Sequence, residues 1–248
     1  MTMPSRRSYK VLGLLLTYPT PDLIAAARSG ELQSVLAGER LIDAAGRAAI
    51  EGLIESLATG DPLDLEERYV YIFDRSRSRS LHLFEHVHGD SRDRGQAMLD
   101  LMEMYDGAGL ELAAGELPDF LPAFLEYLAL LPDAEARQRL SQPIHIIAAI
   151  GRRLAERQSP YAAVFTALER LAAEKPDEDD LASLLEEADD DPDDGASIDA
   201  AWEEQPVDFG PSSPGFNEAP CERMSRAVDR MLPADAGAPD ASPASSRF

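Results

Sequence analysis

Apolar positions recur along this chain every three to four residues, the spacing of one helix face, almost from its first residues. Tyr9, Leu12, Leu15 and Leu16 share a face on a segment that Ser5 can cap and Pro19 must end. Thr20-Pro21-Asp22 supplies a cap residue and a proline at the first helical position, and Gly30 is a stop. After a short segment, residues 31–37, a helix is expected over residues 40–57, with Leu41, Ala45, Ala48, Ala49, Ile50, Leu53, Ile54 and Leu57 as its stripe. Thr59-Gly60-Asp61-Pro62 closes it and opens the next, over residues 63–73, with Leu65, Tyr69, Ile72 and Phe73 inward. Residues 75–80 alternate Arg and Ser without apolar period and read as a loop.

Asp90 or Ser91 can cap a helix through Met98, Leu101 and Tyr105 that Gly107 and Gly109 end. Pro118 starts another, with Phe120, Leu121, Phe124, Leu125, Leu128 and Leu131, and Pro122 in its first turn. Helices follow at residues 133–140, 144–158 and 160–173. No strand-like alternation and no repeat interrupts the series. The expected fold is all-α, a single helical bundle over residues 1–174.

Beyond residue 174 the composition changes. Residues 174–194 hold twelve acids and one base, Lys175, about half of the formal charge of −23. Leu181, Leu184 and Leu185 form one apolar island there, and residues 199–210, DAAWEEQPVDFG, carry the only tryptophan as a candidate docking segment. Residues 175–248 are therefore expected to be an acidic, largely disordered tail rich in Pro, Ala and Ser. Such acidity opposes nucleic-acid binding, because phosphates would be repelled. One cysteine, Cys221, excludes an intrachain disulfide and fits a reducing compartment. Arg6-Arg7 before residues 11–16 has the look of an export signal, but that apolar run is too short, and the first-helix reading is preferred. No run reaches the roughly 20 apolar residues a membrane span needs, so a cytoplasmic location is expected.

Candidate chemistry concentrates in residues 80–96, SLHLFEHVHGDSRDRGQ, which hold three of the four histidines. His82, Glu85 and His86 match H-x-x-E-H, in which two helical histidines grip zinc beside a glutamate base. Gly89 shortens any helix carrying the motif to a turn or two, so a zinc-dependent hydrolase is the secondary reading. Arg75, Arg77 and Arg79 can hold a phosphate or an acidic peptide, or simply face water.

Residues 69–98, YVYIFDRSRSRSLHLFEHVHGDSRDRGQAM, and residues 116–128, ELPDFLPAFLEYL, resemble the signature of the nitrate reductase delta-subunit (NarJ-type) family, within the wider TorD/DmsD chaperone group. The opening VLGLLLTYPTPDL and the later WEEQPVDFG are similar to further blocks of that family, so the likeness covers residues 9–210. It implies an all-helical, non-enzymatic, system-specific chaperone, separate from the finished enzyme. The partner it implies is the apo catalytic (alpha, molybdenum) subunit of respiratory nitrate reductase, including its N-terminal peptide. That client is kept open for molybdenum cofactor and iron–sulfur insertion before membrane docking. No cofactor is expected to stay bound to the chaperone; transient contact with molybdenum cofactor, and with proteins of its biosynthesis, is compatible with the role. A helical adaptor for a different molybdoenzyme is a third reading.

In the wider group an E-x-P-D-H motif borders the peptide groove. Here Glu116-Leu117-Pro118-Asp119-Phe120 stands in its place, with phenylalanine for histidine; His86 and His88 can supply the imidazole. The client-binding residues expected are Tyr69, Tyr71, His82, His86, His88, Asp90, Arg92, Asp119, Phe120 and Tyr127. Asp90 and Asp119 also sit where helix caps belong, and Phe73 and Phe124 read as core.

Overall fold

A computed structural model describes residues 6–87, 92–186 and 189. Within them the chain forms eleven α-helices and no strand, so the all-α expectation holds. The residues expected to be a tail, other than 175–186 and 189, lie outside the described part, including residues 199–210.

Helix α1 (Arg7–Leu15) packs along α7 (Leu121–Leu128), and the two backbones come close where a Cβ on Gly13 would stand 3.1 Å from the Pro122 carbonyl oxygen. Ser5, the cap expected from the sequence, lies outside the described residues, and Arg6 at the N-cap position makes no side-chain cap bond. Instead the Glu39 carboxylate, from the end of α3 (Glu31–Glu39), accepts from the N–H groups of Arg7 and Ser8, both at 2.8 Å. That carboxylate satisfies two orphan donors and places negative charge at the positive end of the helix dipole. Glu39→Ala is expected to cost about 1 kcal/mol, the scale of a lost cap, read as a lower urea midpoint with faster amide exchange in the first turn of α1. Unchanged exchange there would refute the assignment.

The local signals at Thr20 and Asp61 act as their sequences suggest. Thr20 caps α2 (Pro21–Ser29), Gly30 closes it in the left-handed region at φ 76°, and Asp61 caps α5 (Pro62–Tyr69). Helix α4 (Ala44–Thr59) begins later than expected: Arg40 turns left-handed at φ 52° and Asp43 caps the helix through the Gly46 N–H at 2.7 Å. Helix α5 runs directly into a π-turn, Val70–Asp74, which buries Ile72 and Phe73 and leaves Asp74 exposed. Two 3-10 turns follow, Arg77–Arg79 and Leu83–His86, before α6 (Arg92–Gly107).

Helices α8 (Asp133–Leu140), α9 (Ile144–Glu156) and α10 (Ala162–Leu171) complete the core. The α9–α10 crossing is tight because Gly151 has no side chain; a Cβ there would meet Phe165 Cβ at 2.8 Å. The helical body also continues past residue 174. Helix α11 (Glu178–Glu186) lies on α9, with Leu181 buried against Ala148 and Ala149. Leu181 and Leu184 of the apolar island thus form the inner stripe of a docked helix, while Leu185 stays exposed.

Candidate functional site

The two conspicuous sequence runs meet in space. His82 and Phe120 form an isolated antiparallel bridge, flanked by Leu121 N–H donating to Leu81 O at 2.9 Å and Leu83 N–H to Asp119 O at 3.0 Å. This pairing draws residues 118–120 out of the helix expected from Pro118, so α7 starts at Leu121 with Pro122 inside its first turn. Asp119 is fully buried behind the bridge. Its Oδ2 accepts from the Phe84 N–H at 3.1 Å, and its Oδ1 lies 3.2 Å from His82 Nδ1. Outside the bridge, the half-buried rings of His82 and Phe120 lie 5.2 Å apart and tilted by 31°.

These rings open onto a cleft of about 560 Å³. Phe73, Tyr69, Leu81 and Phe120 supply its apolar surface; Asp74, Glu85, Arg75, Arg77 and Arg94 supply charge of both signs. Tyr69 is anchored by its hydroxyl, which donates to Leu16 O at 3.0 Å, and its ring sits between Tyr18 and Phe73. Partial loss of solvent within the cleft raises the pKa of the otherwise exposed Asp74 carboxyl, a shift that the nearby His82 charge opposes.

His82 is the titratable centre. The Asp119 hydrogen bond raises its pKa above 6.5; burial pulls the other way, the charges of Asp119 and Glu85 add to the rise, and Arg94 subtracts. A histidine raised on folding stabilises the fold fully below its unfolded pKa, and that contribution is lost as pH climbs through the folded value. The urea midpoint is therefore expected to fall as pH rises through and above the ordinary imidazole range, and His82→Gln to flatten that slope. Parallel profiles for the two proteins would refute the link.

The expected site residues divide between cleft and interior. Tyr69, His82 and Phe120 line the cleft, with Asp119 immediately behind it. Tyr71 is half-buried next door, beside Tyr18, Leu63 and Arg75. His86 is buried, with Nε2 2.8 Å from Ser80 O, and Tyr127 packs inside against Tyr105 and Phe124. Arg92 opens α6, while His88 and Asp90 lie outside the described residues. Asp74, Glu85 and Arg94 also line the cleft. Their sequence signal was only proximity to the histidine run.

The arginine–serine stretch is not a wholly solvated loop. Ser76, Ser78, Arg79 and Ser80 are buried, while Arg75 and Arg77 stay exposed on the cleft. Arg79 donates from Nε to Ile72 O at 3.1 Å and pairs with Asp189. The H-x-x-E-H match falls on a 3-10 turn, where residues four apart do not stack as on an α-helix. His82 Nδ1 faces Asp119 and His86 Nε2 faces the Ser80 carbonyl, so the two imidazoles are oriented by different partners.

An all-helical body with an open cleft of mixed polarity, built where two unusual sequence runs pair, has the make-up of a helical binding protein. The chain belongs to the nitrate reductase delta subunit family, which residues 39–167 match. It is 42% identical over 201 residues, 80% of this chain and 83% of the relative, to the nitrate reductase molybdenum cofactor assembly chaperone NarJ of Escherichia coli (strain K12). The probable chaperone NarW of the same organism is 38% identical over 200 residues, 81% and 82% of the two chains. The probable NarJ of Bacillus subtilis (strain 168) is 28% identical over 155 residues, 62% of this chain and 82% of the relative. The family is one of non-enzymatic assembly factors, which removes the zinc-hydrolase reading. No helix among the described residues is long and apolar enough to cross a membrane.

Proposed function

We propose that the protein is a cytoplasmic assembly chaperone for respiratory nitrate reductase. It binds the apo catalytic subunit, including its N-terminal segment, in the His82–Phe120 cleft. It holds that subunit open to molybdenum cofactor and iron–sulfur insertion until the complex docks at the membrane. The observation that carries the reading is the pairing of the two family-like runs, since the bridge that joins them also builds the cleft.

The lining suits one face of an amphipathic helix, with aromatic surface for its apolar side chains and charges of both signs at the rim. His86 and Tyr127 act by holding the walls; Tyr69, Tyr71, His82 and Phe120 meet the client, as do Asp90, Arg92 and His88 on the neighbouring run. The cofactor is met within the client, and the chaperone stores none.

Calorimetric titration with a peptide of the catalytic subunit's N-terminus tests this. Phe120→Ala and Arg94→Ala are each expected to weaken binding by roughly tenfold, the cost of a central contact. A wild-type protein that binds neither this peptide nor the apo subunit would sink the proposal.

A further inference from the structure

Beyond α11, Asp189 reaches back to the wall of the cleft. Asp189, three positions beyond the last residue of α11, presents one carboxylate to three donors. Oδ1 accepts from Ser78 Oγ at 2.7 Å and from Arg79 Nη1; Oδ2 accepts from Arg157 Nε at 2.6 Å. Arg157 sits at the C-terminal end of α9, and Ser78 and Arg79 belong to the 3-10 turn. One turn earlier on α9, the buried Arg153 donates to Ser78 O at 2.7 Å and to Leu184 O on α11. A single guanidinium thus ties the turn to the helix that delivers Asp189.

The same turn is one wall of the cleft, where Ser76, Arg77 and Ser80 line it. This wall has no apolar side chain from residue 74 to residue 80 to seat it in the core. Its order depends on polar partners, and at its centre Arg79 is fully buried. A guanidinium taken out of water stays charged at acceptable cost only when a carboxylate and further hydrogen bonds surround it. Asp189 is the acid that does this, from a stretch that composition alone assigns to solvent.

We propose that Asp189 is a positioning residue for the cleft. By seating its carboxylate in the Ser78–Arg79–Arg157 socket, Asp189 holds the wall at residues 75–80 in the shape that receives the client. Seating of Asp189 and binding of the client then reinforce each other, because both favour the same wall conformation. The proposal rests on the reading of the cleft as the client site.

The test uses the full chain with Asp189→Ala, and two readouts. Amide hydrogen exchange of residues 75–80 needs no client; affinity for the client's N-terminal peptide does. Exchange at the wall is expected to rise and peptide affinity to fall by roughly tenfold, within the usual range of coupling between sites, while α1–α4 keep their protection. Acetate is expected to restore both towards wild type, and chloride at equal ionic strength is not. Rescue by acetate and not chloride shows that a carboxylate in the socket, rather than ionic strength, seats the wall. The peptide affinity separates positioning of the cleft from a merely structural role. If Asp189→Ala unfolds, Asp189→Asn, which keeps the shape and loses the charge, carries the same measurements. Unchanged exchange at residues 75–80 overturns the proposal, as does a loosened wall with undiminished peptide affinity, or rescue by chloride alone. If the wild type ignores the peptide, the reading of the cleft fails, and exchange with acetate rescue alone decides whether Asp189 orders the wall.

Discussion

Asp119→Ala is expected to destabilise the protein by about 3 kcal/mol and to loosen the junction between the two site segments. The side chain is fully buried, and its removal leaves the Phe84 N–H without its acceptor and His82 without its carboxylate. An orphaned buried donor costs about 1–3 kcal/mol, and losing the carboxylate partner of the half-buried His82 adds to that. The urea midpoint should fall with little change in slope, the signature of lost stability without a change in the surface exposed on unfolding. Asp119→Asn can still accept from Phe84 and should recover part of the loss, but not the raised pKa of His82. An Asp119→Ala midpoint equal to wild type would show that the bridge stands without its carboxylate.

The second large effect is expected at Arg79. Arg79→Met keeps length and apolar bulk but strips the Asp189 carboxylate of its buried partner and the Ile72 carbonyl of a donor. Removing one member of a fully buried pair costs about 3–5 kcal/mol. With Asp189 22% exposed and still held by Arg157, the low end of about 3 kcal/mol is expected, a fall of roughly 6–12 °C in Tm for a body of this size. Arg157 binds the same carboxylate from a position whose side chain is 29% exposed. Arg157→Ala is therefore expected to cost under about 1 kcal/mol, as solvent-screened pairs do. Calorimetric melting of both variants decides the matter; equal losses would mean that burial does not set the difference.

Much of the helical series is legible because its signals are local. Thr20-Pro21 and Asp61-Pro62 each place a cap and a proline within two residues, and Gly30 ends α2 without help from elsewhere. The misreadings share a different cause: the deciding partner is far away in sequence. Glu39 caps α1 from the end of α3, a relation that no window over residues 5–16 contains. Pro118 and Pro122 offer two plausible helix starts, and the hydrogen bonds to Leu81 and Leu83 select the second. Arg79 alternates with serines as a solvated residue would, yet it is buried because α9 and Asp189 close over it. Leu181 looked stranded in an acidic tract until Ala148 and Ala149, small residues on α9, gave it a seat.

The site was partly legible for the same reason. The resemblance drew attention to His82, Asp119 and Phe120 together, and the bridge joins those residues. Side-chain direction was beyond it. His86 and Tyr127 turn inward, whereas Asp74 and Arg94 turn to the cleft, and those choices follow from the 3-10 turn, the π-turn and the approach of α6.

The π-turn at Val70–Asp74 also makes the chain sensitive to length at that point. Its wider loop absorbs one residue more than a regular helix would. A single-codon deletion there would yield a smoother α-helix, the outcome local energetics prefers. An insertion, with no second bulge to absorb it, would instead turn Phe73 by about 100° around the axis, out of the core in which it is buried. Insertions within these five positions should thus be less tolerated than single deletions there, and than equally short insertions at the exposed residues 113–115.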